Sequence, residues 1–125
     1  MENKHLKNLI ADYIKNNEGT SFVELESIFE EQGYDYKGHI AFANAVYPNI
    51  LYWSGWNQEA MDIIIDLINE GLIDIEQCLE EVYLIDGKCL KYPQPKEKIS
   101  REKEYWIPIV FNGVKGEKNE GSRTS

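Results

Sequence analysis

Four carboxylates at regular spacing along residues 58–70 are the first groups whose type and pattern suggest a chemistry. In the predicted helix QEAMDIIIDLINE they share the outward face: Glu59, Asp62, Asp66 and Glu70. No Lys or Arg occurs from Gly38 to Gly87, and the chain carries a net charge of −9. Carboxylates that point into water are poorly suited to general acid–base catalysis, but they attract basic surfaces. Such a face is most simply a solvated helix surface. As a functional site, we predict a protein-binding face, or an acidic surface that imitates nucleic acid.

The second group of residues that could form a binding site is a set of basic side chains that follows Gly87. They are Lys88, Lys91, Lys96, Lys98, Arg101 and Lys103, diluted by Glu97, Glu102 and Glu104. Basic side chains on a loop can neutralise phosphates, so this segment supports nucleic-acid binding as an alternative function. The alternative is disfavoured because a helix with four outward carboxylates would repel a phosphate backbone.

The stretch WSGWN at residues 53–57 contains two of the three tryptophans. Gly55 and Asn57 predict a turn followed by a helix N-cap, and Trp56 occupies the position of a hydrophobic staple. Trp53 is then the aromatic side chain left to face a partner, and Trp and Tyr are favoured at interfaces. We therefore predict an exposed aromatic patch at this corner, with Trp53 in it.

Metal, cofactor and nucleophile chemistry have little support. His5 and His39 are isolated, and neither forms a zinc-site spacing with Cys78 or Cys89. The sequence contains no nucleophile elbow, phosphate-binding loop or dinucleotide fingerprint. We expect no enzyme activity, no metal and no cofactor. Two cysteines do not make a disulfide scaffold, and no apolar run could cross a bilayer, which favours a cytoplasmic protein.

The elements that position these groups are predicted from periodicity and capping residues. Helices are expected at 5–16, at 21–33 behind a Ser21–Glu24 capping box, at 39–46 and at 58–70. Strands are expected at 50–53, at 72–75, at 82–85 and 88–92 around an Asp86-Gly87 hairpin turn, and at 105–111 with Pro108 at an edge. This order is typical of an α+β, winged-helix-like domain, a helical core followed by a small antiparallel hairpin. We expect one such domain over residues 1–111 and a disordered polar tail over 112–125.

Four stretches carry a resemblance to other sequences: EQGYDYKG at 31–38, WSGWN at 53–57, VYLIDGK at 82–88 and YWIPI at 105–109. With these stretches the chain resembles a family of small uncharacterised proteins encoded by phages and pathogenicity islands of Gram-positive bacteria. The resemblance spans roughly residues 20–111 and implies an accessory gene on a mobile element. Such genes tend to encode regulators, or small inhibitors of host defence or replication machinery.

These observations predict a non-enzymatic accessory protein that acts by binding another protein through its acidic face. The partner is expected to present a basic surface, in a host nucleic-acid-dependent defence or replication complex, as for an inhibitor of the anti-CRISPR type. The alternative is a winged-helix transcriptional regulator whose wing lysines contact DNA phosphates. A dimerising module that uses its aromatic surface for self-contact is a third hypothesis.

Overall fold

The computed structural model describes residues 4–95, 100 and 102–114, called the described residues below. Their elements, in chain order, are α1 (Lys4–Asn16), α2 (Phe22–Glu31), β1 (Lys37–Ala43), β2 (Ile50–Trp56), α3 (Gln58–Asn69), β3 (Ile73–Gln77), α4 (Glu80–Asp86), β4 (Tyr105–Trp106) and β5 (Ile109–Gly113). The described residues therefore form a mixed α+β fold, with one three-stranded and one two-stranded sheet. The α+β class is confirmed, whereas the winged-helix arrangement is not.

The caps of α2 are those that the sequence predicts. The Ser21 hydroxyl accepts a hydrogen bond from the Glu24 backbone N–H (3.2 Å), and the Glu24 carboxylate accepts one from the Ser21 N–H (2.9 Å). This reciprocal box satisfies two N–H groups that the first turn leaves unpaired. Just beyond the helix, Gly33 takes the left-handed conformation (φ 72°) that ends it.

The start of α3 is also set locally. The Asn57 side-chain oxygen accepts the Ala60 N–H at 2.7 Å, which confirms Asn57 as the N-cap. The inward face of α3 is fully buried at Ala60, Ile64 and Leu67. A left-handed glycine, Gly71, follows the last turn.

The two sheets meet at the segment 105–113, of which residues 105–111 were expected to form one edge strand. The structure divides it into β4, which is parallel to β2, and β5, which is antiparallel to β3. The break comes at Pro108, which has no N–H for a ladder, while the Ile107 N–H still bonds to the Leu51 carbonyl (3.0 Å). The chain therefore passes from one sheet to the other at this proline.

The helix predicted for residues 39–46 is wrong, because residues 37–43 form β1 and pair with β2 in antiparallel fashion. Ile40 and Phe42 are partly buried and pack on the core, while His39 and Ala41 point outward. This period of two is a strand pattern, and it outweighs the helix propensity of the alanines.

The hairpin predicted around Asp86-Gly87 is also wrong. Residues 80–86 form α4, and Gly87 is its left-handed C-cap (φ 90°), with its N–H on the Tyr83 carbonyl at 2.9 Å. Hairpin turns and helix C-caps both require a residue with positive φ, so the same Asp-Gly pair suits either structure. None of the described residues 88–92 belongs to a strand.

The end of the fold lies beyond the predicted boundary at residue 111. Asn112 and Gly113 belong to β5 and pair with Asp74 and Ile73. Val114 is described as well, whereas residues 115–125 of the predicted polar tail lie outside the described residues, as do Lys96, Lys98 and Arg101.

We predict that Gly38→Ala destabilises the fold by about 1–3 kcal/mol, as overpacking does in a well-packed core. A methyl group at Gly38 would lie 2.6 Å from the Asn57 Cα and 2.8 Å from the Trp56 carbonyl oxygen. Backbone at the β2–α3 corner would have to move. Urea unfolding measures the change.

His39→Ala is the matched control, since His39 is exposed on the same strand. It should change the free energy of unfolding by less than about 0.5 kcal/mol. Equal stability of the Gly38→Ala variant and the wild type would contradict the close packing at this corner.

Candidate functional site

The tryptophans of WSGWN lie in the core, not on the surface. Trp53 and Trp56 are both 0% exposed, although a regular strand would place residues 53 and 56 on opposite faces. Gly55 has a φ of +95°, and Lys37 and Ile40 both register with Trp56, as at a β-bulge. The extra residue turns both indoles inward. The prediction that Trp53 faces a partner is therefore wrong.

Both indoles bind one buried carboxylate, that of Glu26 on α2. Glu26 is 5% exposed, and its Oε2 accepts hydrogen bonds from Trp53 Nε1 (2.9 Å) and Trp56 Nε1 (2.8 Å). Its Oε1 accepts one from Lys88 Nζ at 2.7 Å. A buried charge is costly unless it is paired and hydrogen-bonded. These four residues, the Glu26 cluster, satisfy that condition with three donors.

Aromatic rings pack around the Glu26 cluster and fix its geometry. Phe22 stacks on Trp53 with ring centroids 5.5 Å apart, and Phe29 meets Trp56 edge-to-face at 5.0 Å. The Lys88 ammonium lies 5.9 Å from the Trp53 ring centroid, within range of a cation–π contact. The cluster thus joins α2, β2 and the segment after α4. Its carboxylate oxygens are occupied and shielded, so its role is to hold the fold.

Glu26 was missed at the sequence level, although a signal for it exists. It lies four residues after Phe22 and three before Phe29, both of which face the core. At this spacing Glu26 must share their face of the helix. A carboxylate on a helix's apolar face needs buried donors, and the two indole N–H groups of WSGWN are such donors.

The acidic face of α3 is exposed as predicted, but its four carboxylates differ in their contacts. Glu59 accepts a hydrogen bond from the Tyr34 hydroxyl (2.9 Å), and Glu70 pairs with Lys7 of α1. Between them, Asp62 accepts the Gln58 amide from its own helix (2.8 Å) and no other donor among the described residues, and Asp66 lies exposed one turn further on. Asp62 and Asp66 are therefore the carboxylates most open to a partner.

The Tyr34 hydroxyl holds one end of this face. Burial, followed by the hydrogen bond to Glu59, raises the pKa of Tyr34 to about 12. The hydroxyl therefore stays protonated at neutral pH and remains a donor to Glu59. The same hydroxyl lies 3.2 Å from the side-chain oxygen of Asn57, a second acceptor for its one proton, which places this end of the face beside the N-cap of α3.

The basic residues do not come together on a hairpin. Lys88 is bound to Glu26, and Lys91 and Lys103 are exposed. Lys96, Lys98 and Arg101 lie outside the described residues, so their predicted phosphate contacts stay a prediction. Lys88 and Lys91 line a shallow groove beside α4, together with Leu84, Gly87 and Cys89.

Exposed apolar side chains on α4 are a second feature that the sequence did not predict. Leu84 is 56% exposed and Ile85 is 84% exposed, and Leu79, just before the helix, is 73% exposed. We call these three residues the α4 patch. A strand at 82–85, as predicted from sequence, would pair with a neighbouring strand and have some of its side chains covered by the core. Single exposed apolar residues are ordinary, but neighbouring ones can mark an interaction surface.

The described residues also bear on metal binding, on membrane spanning and on the two cysteines. No three His, Cys, Asp or Glu side chains among them come together as metal ligands. Within the same part of the chain, no helix combines the length and apolar character that crossing a bilayer requires. Cys78 and Cys89 are free, half-buried thiols, and burial raises the pKa of Cys78 to about 11.

We predict that Glu26→Ala costs about 3 kcal/mol or more in the free energy of unfolding, because it leaves two indole N–H groups and Lys88 without their acceptor. Lys88→Met should cost less, about 1–2 kcal/mol, since the Lys88 side chain is half exposed and the indoles still bind Glu26. Guanidinium unfolding followed by tryptophan fluorescence measures both changes.

Glu31→Ala is the control on the same helix, because Glu31 is exposed, and it should stay within about 0.5 kcal/mol of the wild type. Glu26→Gln, which keeps the shape and one acceptor, should fall between Glu26→Ala and the wild type. A Glu26→Ala variant as stable as the Glu31→Ala control would contradict a structural role of the cluster.

We also predict that Cys78 reacts slowly in the folded protein. A thiol whose pKa is raised from 9.0 to about 11 holds about a hundredfold less reactive thiolate at pH 8. In a Cys89→Ser variant, iodoacetamide should therefore modify Cys78 more slowly in buffer than in urea, by up to about that factor. Equal rates in the two solvents would contradict a raised pKa of the Cys78 thiol.

Comparison of the chain with protein-family models, with curated proteins and with solved structures found no match. A function is therefore inferred from the surfaces that the fold presents. Two of them stand out among the described residues: the acidic face of α3 and the α4 patch.

Proposed function

We propose that this protein is a non-enzymatic accessory protein that binds a basic surface of a partner protein through the acidic face of α3. The observation that carries the proposal is the exposure of Asp62 and Asp66 within a stretch, Gly38 to Gly87, that contains no Lys or Arg. Such a surface attracts cationic partners and speeds their association. The indoles cannot supply the contact, since they are buried around Glu26.

The geometry of the face supports a rigid docking surface. α3 is held by its Asn57 cap and by its buried side, and Glu59 and Glu70 extend the charge at its two ends while they bind Tyr34 and Lys7. Regularly spaced carboxylates on a rigid helix offer an acidic surface that could replace nucleic acid on a basic partner. We therefore propose a partner whose basic surface normally holds nucleic acid, in a host defence or replication complex.

The resemblance to proteins of phages and pathogenicity islands fits this proposal, because mobile elements carry small inhibitors of host machinery. It also fits the alternative, a winged-helix transcriptional regulator. The exposed Lys91 and Lys103 favour that alternative. Two observations weigh against it: Lys88 pairs with Glu26, and residues 80–86 form a helix. A basic wing would need Lys88 free to contact phosphates and this segment in a β-hairpin. The alternative predicts DNA binding that weakens steeply with salt.

We predict that Asp62→Lys with Asp66→Lys abolishes partner capture. Tagged full-length protein would be exposed to nuclease-treated lysate of a Gram-positive host, and captured proteins would be quantified by mass spectrometry. Wild type should enrich a basic protein at least about tenfold over the variant, since like charges placed face to face cost several kcal/mol. The captured protein, once purified, should bind more weakly as salt rises.

The matched control is Asp12→Lys with Glu102→Lys, which changes two exposed carboxylates elsewhere and gives the same net charge. It should capture as the wild type does. If the α3 variant and this control capture the same proteins equally well, α3 is not the binding face. Capture that disappears on nuclease treatment, with a shift of duplex DNA at low salt, would favour the regulator instead.

A further inference from the structure

The α4 patch is held outward by the contacts of its own helix. Tyr83, on the opposite side of α4, is fully buried, donates its hydroxyl to the Ile109 carbonyl and accepts the Phe22 N–H (3.1 Å). At the end of the helix, Asp86 accepts the Ser21 hydroxyl at 2.7 Å. These bonds fix the rotation of α4. Leu84 and Ile85 therefore cannot turn inward without breaking buried hydrogen bonds.

A protrusion and a recess lie side by side on this surface. Ile85 projects into solvent. Leu84, the residue before it, lines the shallow groove together with Gly87, Lys88, Cys89 and Lys91. An interface related by a two-fold axis uses the same patch on both subunits, so the patch must complement itself. A protruding apolar residue beside an apolar groove meets that requirement.

The charges around the patch are self-complementary as well. Glu80 and Glu81 lie at the amino end of α4. At its carboxyl end Asp86 accepts the Ser21 hydroxyl, and Lys88 and Lys91 follow. If two copies of α4 meet in antiparallel orientation, the acidic end of each faces the basic end of the other. Glu81 and Lys91 are both exposed and suited to pair across such an interface, whereas Lys88 already binds Glu26.

We propose that the α4 patch is the interface of a weak homodimer, in which Ile85 of each copy enters the groove of the other and Glu81 pairs with Lys91 of the second copy. The segments of this sequence outside the described residues offer little apolar surface to cover the patch. Outside the described residues the only apolar side chains are Met1 and Ile99. The basic partner proposed for α3 would in turn be repelled by the lysines at this groove.

The size of the patch sets the strength of the dimer. Stable complexes bury about 800 Å² on each partner, more than three apolar side chains and two ion pairs provide. The dissociation constant should therefore be micromolar or weaker. This interface lies on α4 and does not depend on the function proposed for α3.

Sedimentation equilibrium of the full-length protein tests the proposal across micromolar to millimolar concentrations at low salt. The wild type should shift from 14.5 kDa toward twice that mass. Ile85→Asp should raise the dissociation constant at least about tenfold, as loss of a central apolar anchor does. Because Ile85 is exposed, the variant should keep the circular dichroism spectrum of the wild type.

A charge swap makes the test specific. Glu81→Lys and Lys91→Glu should each weaken the dimer, and the double variant should restore it, because the pair is then reversed. Asp62→Lys with Asp66→Lys should leave dimerisation unchanged, whatever it does to partner capture. A wild type that stays monomeric at millimolar concentration would overturn the proposal. So would a dimer that Ile85→Asp does not weaken.

Discussion

The structure depends on one buried carboxylate and its three donors. Glu26 lies on the core side of α2, where an isolated charge would cost several kcal/mol, and it is stabilised by two indole N–H groups and one ammonium. These donors come from β2 and from the segment after α4. The pairing therefore fixes the position of a strand, a helix and a loop relative to one another, and it explains why the protein buries two tryptophans so close in sequence.

Because Trp53 and Trp56 are buried, the two candidate binding surfaces among the described residues lie on helices α3 and α4. α3 offers exposed carboxylates on a rigid support, and α4 offers apolar side chains between an acidic and a basic end. The partners that we propose for the two surfaces differ: a basic protein for α3 and a second copy of the chain for α4. A dimer would present two acidic faces at once, and two linked sites bind a partner with matching sites more tightly than one does.

Features set by near neighbours in the chain could be predicted from sequence. The Ser21–Glu24 capping box, the Asn57 cap and the exposure of Asp62 and Asp66 follow from short patterns, and the structure confirms them. The bonds of Glu26 to Trp53 and Trp56 join residues 27 and 30 positions apart, so no local pattern contains them.

The Asp86-Gly87 pair fits a hairpin and a helix end equally well, because both need positive φ. The long-range contacts of Tyr83 and Asp86 accompany the helix and, with it, the α4 patch.

The central claim is that Glu26 holds both indoles inside the core, and hydrogen exchange of the indole N–H protons measures this most directly. In nitrogen-15 labelled protein, the Trp53 and Trp56 indole protons should exchange with deuterium only as fast as the whole domain unfolds. The Trp106 indole, which donates to the Tyr52 carbonyl, serves as an internal reference with a different acceptor. In the Glu31→Ala variant the protection should persist. Exchange of the Trp53 and Trp56 indoles at the rate of free tryptophan would contradict the account.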